Sequence, residues 1–212
     1  MLTARVIDAA DHPAIDALRI ASYRRATWFT LTDDDRIRCA RDLPRSRVTA
    51  VFDGGVPVAT VCQTLVLNPA EVEAVLELQA DFAPDDFPAL AITRAATAEQ
   101  YAGRRLNHVL RWYTLHAAKS AGIRSIVAGQ ARGTPNLRVV AELGYRLVDV
   151  QTSSMSQVRI NTGHVLSYLP ASDFTVALER LGRLLGQTLP QVLWRGPQLG
   201  FAEWLQPAAQ RA

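Results

Sequence analysis

The most restrictive feature of the sequence is an apolar strand that leads through a short polar turn into a long helix. The strand is expected at Ala89–Thr97 and the helix at Leu106–Ala121, where Gly122 ends it. Gly103–Arg105, a glycine and two arginines, stand directly before the helix start. Backbone N–H groups at a helix N-terminus lack partners and bind phosphate groups readily. Two interpretations follow: a phosphate-binding turn, or an ordinary tight turn followed by two solvated arginines.

Hydrophobic periodicity predicts strands and helices that alternate along the chain, as in a mixed α/β sheet within one domain. Asp53–Gly55 is typical of a hairpin turn, Asn68 and Pro69 are typical of a helix start, and a short helix is expected from Thr32. The predicted strands are Thr3–Ala9, Arg47–Phe52, Val56–Val66, Ala89–Thr97, Ile123–Gly129, Tyr145–Met155 and Gln157–Leu169. The predicted helices are Asp11–Arg25, Pro69–Gln79, Leu106–Ala121, Pro135–Leu143 and Ser172–Gln187.

Composition narrows the possible classes of function. The 212 residues are 49% hydrophobic and contain no apolar run long enough for a transmembrane helix, and the N-terminus does not resemble a signal peptide, so a cytoplasmic protein is expected. Cys39 and Cys62 are expected to be free thiols, and no histidine has metal-ligand spacing. The net charge is +3, and Lys119 is the only lysine. The scattered arginines do not indicate nucleic-acid binding, but they suit anionic small ligands.

A longer stretch around the turn resembles a known family. Thr93–Leu110, "TRAATAEQYAGRRLNHVL", is similar to the strand–loop–helix signature of the GNAT N-acyltransferase superfamily, and Asn136–Arg146 is similar to a later motif of that family. The order of elements also agrees, so the resemblance covers roughly residues 3–150. It implies a GNAT-like, mostly antiparallel mixed sheet flanked by helices, with a core at residues 1–150. Residues 151–212 would then add completing strands, an amphipathic helix and an aromatic tail to the same domain.

The resemblance also implies a cofactor and the residues that hold it. The family binds acyl-CoA, often acetyl-CoA, with its pyrophosphate on the loop and helix start and its pantetheine arm along the preceding strand. Carried over by position, the cofactor-binding residues are Ala95, Ala96, Thr97, Ala102, Gly103, Arg104, Arg105, Leu106, Asn107 and Asn136. Ala102 replaces the family's first Arg or Gln, and Arg105 and Asn107 replace small residues. Arg105 would either crowd the diphosphate or bind it from the side.

The family's usual catalytic groups are missing. A carboxylate that some members carry corresponds to Ala91, and the usual tyrosine corresponds to Val140. The remaining candidates are Arg94, Tyr101 and Asp86. Arg94 is an unusual charge in an apolar strand and would be buried with a partner or point outward. Tyr101 and Asp86 have simpler interpretations, as a packing residue and as part of a solvated loop.

Three functions remain open at this stage. The resemblance implies an N-acyltransferase that moves an acyl group from acyl-CoA to an amine of a small molecule or peptide. Leu18–Asp35 is loosely similar to a branch that makes N-acyl amino acids or acyl-homoserine lactones, often from acyl carrier protein. With Ala91 and Val140 at the usual catalytic positions, the fold would alternatively only bind acyl-CoA or a protein partner. The helix at Ser172–Gln187 would pack on the core, form a homodimer surface or cover an acyl chain.

Overall fold

A computed structural model describes residues 1–31, 33–39, 43, 45–152, 158–160, 163–196 and 199–205. These residues form eleven strands and six α-helices. The strands are β1 Leu2–Val6, β2 Phe29–Leu31, β3 Ser46–Asp53, β4 Val56–Val66, β5 Leu78–Gln79, β6 Ala89–Thr97, β7 Ser125–Ala131, β8 Arg146–Thr152, β9 Val158–Ile160, β10 His164–Pro170 and β11 Val192–Trp194. The helices are α1 His12–Arg25, α2 Pro69–Leu76, α3 Leu106–Ser120, α4 Pro135–Glu142, α5 Phe174–Leu185 and α6 Phe201–Leu205.

Nine strands form one sheet in the order β11-β1-β3-β4-β6-β7-β10-β8-β5. Neighbouring strands run antiparallel except for two parallel pairs, β1 with β11 and β6 with β7. β2 and β9 pair with each other as a separate antiparallel ribbon. The predicted mixed, mostly antiparallel α/β fold is therefore confirmed.

The central parallel pair is joined along only part of its length. Ala89–Ala91 of β6 pair with Ser125–Val127 of β7, and the pairing stops there. On its other side β6 carries a bulge against β4, because Thr93 and Ala96 face Cys62 and Thr60 with one residue fewer between them on β4. Since β6 bends at a bulge and β7 continues, the two strands diverge toward their C-terminal ends.

Helices cover both faces of the sheet. The larger core contains buried side chains of α3, α4 and α5, with Leu110, Val140 and Leu181 all fully buried. The opposite face is covered by α1 through Ile15 and by α2 through Val72. α5 thus packs on the core and against α3, which is one of the three roles considered for the predicted C-terminal helix.

Several predicted boundaries were wrong. The first strand ends at Val6, and Ala9–Asp11 forms a 3-10 helix in which Asp8 and Asp11 complete a capping box. The helix at Pro69 ends at Leu76, because Glu77 turns into the left-handed conformation and Gln79 joins β5.

The C-terminal part also departs from the prediction. The predicted second strand there is divided into β9 and β10, and β11 was not predicted at all. Thr32 and Met155 lie outside the described residues, while Asp34–Ile37 form a 3-10 helix.

Candidate active site

A cleft of about 830 Å³ opens where β6 and β7 diverge. Its walls are the C-terminal halves of these two strands, and its ends are formed by the start of α3, the start of α4, and the ends of α1 and α2. Nine of the ten predicted cofactor-binding residues line it: Ala95, Ala96, Thr97, Ala102, Gly103, Arg105, Leu106, Asn107 and Asn136. The residues that the sequence motif predicted for cofactor binding therefore lie where β6 and β7 diverge.

Strained backbone is concentrated at this cleft. Among the described residues, three that are not glycine have left-handed backbone, Glu77 at φ 55°, Arg94 at φ 51° and Arg105 at φ 60°, and all three line the cleft. Each costs about 1–3 kcal/mol and persists only where the surrounding structure enforces it. Such residues are typical of binding and catalytic sites.

The turn before α3 presents unpaired amides to the cleft. Gly103 at φ 78° and Arg105 both adopt left-handed backbone, so the chain folds back just before Leu106 begins the helix. In the described part of the chain, the backbone N–H groups of Gly103, Arg105, Leu106 and Asn107 donate to no other protein group. Open amides at the positive end of a fifteen-residue helix form an anion site.

The two arginines of this turn point away from those amides. The Arg105 guanidinium donates to the backbone carbonyl of Leu184, near the C-terminus of α5. Arg104 does not line the cleft, and its guanidinium lies 4.9 Å from the centre of the Tyr101 ring. Arg105 thus has a left-handed backbone, and its side chain reaches the end of α5.

Asn107 links the helix start to β6. Its Nδ2 donates to the Ala96 carbonyl at 3.3 Å and to the Thr97 hydroxyl at 2.8 Å. Its Oδ1 is buried without a hydrogen-bond partner among the described residues, on the side that lines the cleft. An unpaired buried acceptor costs about 1–3 kcal/mol, which a ligand donor would recover.

The start of α4 forms the opposite lip of the cleft. The Asn136 amide donates to Gln130 Oε1 at 2.6 Å, and Gln130 Nε2 donates to the Ser167 hydroxyl at 2.9 Å. These bonds hold the helix start against β7 and β10. Thr134, the residue before the helix, has a buried hydroxyl oxygen without a partner in the described part of the chain.

His108 also lines the cleft. Burial, with smaller contributions from Arg111 and Arg105, lowers the pKa of His108 to about 4. Its Nδ1 is buried without a partner among the described residues. Arg111 lies beside it, is itself buried, and donates to the Tyr145 hydroxyl at 3.0 Å. A neutral imidazole therefore faces the cleft from the first turn of α3.

The three predicted catalytic candidates do not come together. Arg94 lines the cleft at the β6 bulge, next to Thr93. Tyr101 borders the cleft, but its hydroxyl donates to the Asp53 carboxylate, and this bond raises the pKa of Tyr101.

Asp86 lies elsewhere, at a second cavity of about 520 Å³. Its carboxylate accepts from the Tyr168 hydroxyl and from the Ala83 amide, the latter at 2.8 Å. Burial and the hydrogen bond to Asp86 raise the pKa of Tyr168 to about 12. Asp86 is therefore a loop and strand-end anchor that the structure does not bring to the cleft.

The half of the cleft that faces α1 and α2 has a mixed lining. Apolar side chains there are Trp28, Ile37, Val75 and Leu76. Thr93 also faces this side, because it stands opposite Cys62, which packs under α1, and its hydroxyl is buried without a partner among the described residues. This side of the cleft therefore combines apolar side chains with a buried hydroxyl.

Ala91 and Val140, where the family has a carboxylate and a tyrosine, are both fully buried and apolar. Cys39 and Cys62 are buried free thiols. Among the described residues, no group of three His, Cys, Asp or Glu side chains is arranged to hold a metal ion. None of the described helices combines the length and the apolarity that a membrane span requires.

No family model and no curated protein matches the sequence. Solved structures do match the fold. The ribosomal-protein-S18-alanine N-acetyltransferase from Escherichia coli is 14% identical with a TM-score of 0.58, over 81% of this chain and 94% of that one. An N-acyl amino acid synthase from uncultured soil microbes is 12% identical with a TM-score of 0.57, over 82% and 94%.

A third similar structure is a CoA-dependent acyl-homoserine lactone synthase, solved with SAM and isopentyl-CoA. It is 15% identical with a TM-score of 0.58, over 95% of this chain and 97% of that one. Acetyltransferases and acyl synthases thus share this architecture. At these identities the similarity establishes the fold, so the chain has the GNAT fold that its sequence predicts.

Proposed function

We propose that the protein is an N-acyltransferase, which moves an acyl group, most simply acetyl, from acyl-CoA to an amine of a small molecule or peptide. The observation that carries this proposal is the cleft between the diverging strands β6 and β7, which ends at the open amides of Gly103, Arg105, Leu106 and Asn107. Acetyltransferases and acyl synthases among the similar structures support the same class of reaction.

The phosphate-binding half of the cleft suits the anionic part of acyl-CoA. The amides at the start of α3 would hold the diphosphate, and the positive end of the helix dipole would add to that attraction. The extended arm would then follow β6 from Thr97 toward Thr93, where the strand has no partner on the β7 side. The free edge of a strand offers N–H and C=O groups that the amide groups of such an arm can bind.

Acyl transfer from a thioester to an amine requires few catalytic groups. The acceptor nitrogen attacks the thioester carbonyl, the C–N bond forms, and the C–S bond breaks as the thiolate leaves. Holding both reactants in one cleft supplies much of the rate, because a bimolecular step becomes effectively unimolecular. Neutral His108 and cationic Arg111 line the same cleft, so charge that develops on the carbonyl oxygen or the sulfur has polar groups nearby.

A second candidate is the transfer of a longer acyl chain, from acyl-CoA or from acyl carrier protein. Two observations favour it. The acyl-homoserine lactone synthase structure covers 95% of this chain, including most of the C-terminal part, against 81% for the acetyltransferase. The apolar side chains of Trp28, Ile37, Val75 and Leu76 also line the cleft and would pack against a chain.

The proposal is tested by thermal unfolding with acetyl-CoA, a long-chain acyl-CoA, free CoA and ATP. A ligand at about 100 times its dissociation constant adds roughly 2.7 kcal/mol to the free energy of unfolding. For a chain of this size that is a rise of roughly 5–10 °C. A rise with CoA species but not with ATP is expected, and the preferred chain length separates the two candidates. No rise with any CoA species contradicts the proposal for CoA as donor.

Matched variants locate the binding site. Asn107→Asp places a carboxylate beside the open amides and should weaken acetyl-CoA binding at least about tenfold, since like charges repel at short range. Asn68→Asp makes the same change at the start of α2, where Asn68 Oδ1 accepts from the Glu71 amide at 3.0 Å and Asp caps equally well. The control should bind acetyl-CoA like the unmodified protein. Tight acetyl-CoA binding without CoA release for any amine would identify a binding module instead of an enzyme.

A further inference from the structure

Two ionisable side chains, Glu77 and His164, lie on the α2 side of the cleft, where the acceptor amine would bind. We call this side the acceptor half. Glu77 follows the last residue of α2, and His164 is the first residue of β10. Both line the cleft. Among the described residues that line it, Glu77 is the one carboxylate, and the arginines are Arg25, Arg94, Arg105 and Arg111.

Glu77 occupies a position that a glycine would fill at lower cost. Its backbone is left-handed at φ 55° and ψ 34°, and its N–H donates to the Glu73 carbonyl at 2.8 Å to close the helix. For a residue other than glycine, this conformation costs about 1–2 kcal/mol of free energy. The conformation ends α2 and places the Glu77 side chain at the cleft.

Close packing brings this helix end to the wall that carries His164. A Cβ on Gly129 of β7 would lie 2.8 Å from Cδ1 of Leu78, the residue after Glu77. A side chain at position 129 would therefore force Leu78, at the end of α2, to shift. β10 pairs with β7 so that His164 stands opposite Ala131, two residues beyond Gly129 on the same face. The approach at Gly129 thus places Glu77 and His164 on one side of the cleft.

The electrostatic surroundings of His164 favour a neutral ring that can take a proton. Burial lowers the pKa of His164, and the carboxylate of Glu77 partly opposes this effect. Arg132 approaches the neighbouring Gly163, and its guanidinium is paired with the Asp149 carboxylate of β8. Arg94 faces the same cleft from β6. Among the described groups, Glu77 is the charge that acts most directly on the ring.

The opposite wall of this half supplies no base. Ala91 and Thr93 of β6 face the same side, because residues two apart on a strand share a face. Ala91 is fully buried, and the Thr93 hydroxyl is not basic. His108 of α3 also lines the cleft, but a pKa of about 4 makes it a weak base, so the proton acceptor for an amine bound beside Thr93 is expected from α2 or from β10.

We propose that His164 accepts the proton of the acceptor amine and that Glu77 positions the ring and stabilises the imidazolium. This rests on the acyltransferase activity proposed above. The neutral amine attacks the thioester carbonyl, the C–N bond forms, and one N–H proton moves to the His164 ring. The C–S bond then breaks, the thiolate takes that proton from the imidazolium directly or through water, and an amide and a thiol remain. Glu77 keeps its charge throughout.

The first test is a pH titration of the histidine ring protons by NMR, which needs no substrate. The His164 signal is identified by its loss in His164→Gln. In Glu77→Gln the pKa of His164 should fall further, because the carboxylate that favours the charged ring is gone. Glu73→Gln, one turn earlier on the same helix, should leave the His164 titration unchanged. An unchanged pKa in Glu77→Gln overturns the pairing.

The second test is the rate of CoA release from acetyl-CoA with the most reactive amine of a panel. His164→Gln should lower kcat about 100-fold, remove the acid limb of the pH profile and leave the KM for acetyl-CoA unchanged. His116→Gln is the control, because His116 packs on Trp112, 4.0 Å between ring centres, outside the cleft.

The two proposals fail in different ways. Undiminished kcat in His164→Gln overturns the role of His164 and leaves the acyltransferase standing. If the unmodified protein releases no CoA with any amine, the proposed activity and the role of His164 fall together.

Discussion

Acid should unfold this protein through His108, and the size of the effect follows from its burial. The ring lies between α3 and the cleft, and burial is the main reason that its pKa falls from 6.5 to about 4. Between about pH 4 and pH 6.5, the unfolded chain therefore binds a proton on His108 that the folded protein does not bind. The free energy of unfolding is unaffected above about pH 6.5, falls as the pH decreases toward 4, and levels off below that.

The expected loss can be stated in energy. The fall in the pKa of His108 from 6.5 to about 4 corresponds to a loss of roughly 3 kcal/mol in the free energy of unfolding. That is a substantial share of the roughly 5–15 kcal/mol that stabilise an ordinary domain. The smaller contributions of Arg111 and Arg105 act in the same direction, because a positive charge beside the ring also disfavours its protonation.

Urea unfolding at about pH 7 and about pH 4.5 measures this loss in the unmodified protein and in His108→Gln. Other groups titrate in the same range, including His116 and His164, but they are present in both proteins and cancel in the difference. The unmodified protein should lose about 2.5 kcal/mol more than the variant. Equal losses would mean that His108 takes up its proton in the folded state, and the assignment of a dry, neutral ring to the cleft wall would be wrong.

Three further substitutions test other parts of the cleft. Arg105→Gly should keep acetyl-CoA binding, because glycine adopts the left-handed backbone freely and only the bond to the Leu184 carbonyl is lost; calorimetry that finds no binding would refute this. Gly129→Val should lower the free energy of unfolding, measured in urea, by about 1–3 kcal/mol and slow CoA release, because the new side chain meets Leu78. Tyr101→Phe should change kcat less than about threefold, since its hydroxyl is bound to Asp53; a loss of about 100-fold would restore it as a catalytic residue.

Local features of the site were predictable from the sequence. The strand at Ala89–Thr97 and the helix at Leu106 have their predicted boundaries, except that α3 ends at Ser120, because apolar periodicity and a turn encode them within a few residues. The cap of α2 was also predicted: Asn68 accepts from the Glu71 amide, and Glu71 accepts from the Leu67 amide at 2.9 Å.

Features that depend on distant parts of the chain were not predicted. Arg105 is drawn to Leu184, 79 residues away, and no local pattern could indicate that partner. The sequence did not single out His108, because a helix pattern does not tell which elements pack beside a residue. Glu77 was placed inside a helix, because the local apolar pattern does not indicate the left-handed turn that ends α2 there.

The parallel pair at one edge of the sheet constrains the order of folding. In this pair of β1 and β11, Leu2 stands beside Val192. During synthesis, β1 can therefore pair with β11 only after nearly the whole described chain has left the ribosome. Much of the cleft can form earlier, because β4, β6, β7 and α3 lie between residues 56 and 131. Contacts between distant segments form late and open easily. Hydrogen exchange should therefore be fastest at β11 and slowest at β4 and β6, so the strands at the cleft would stay protected longer than the edge of the sheet that pairs last.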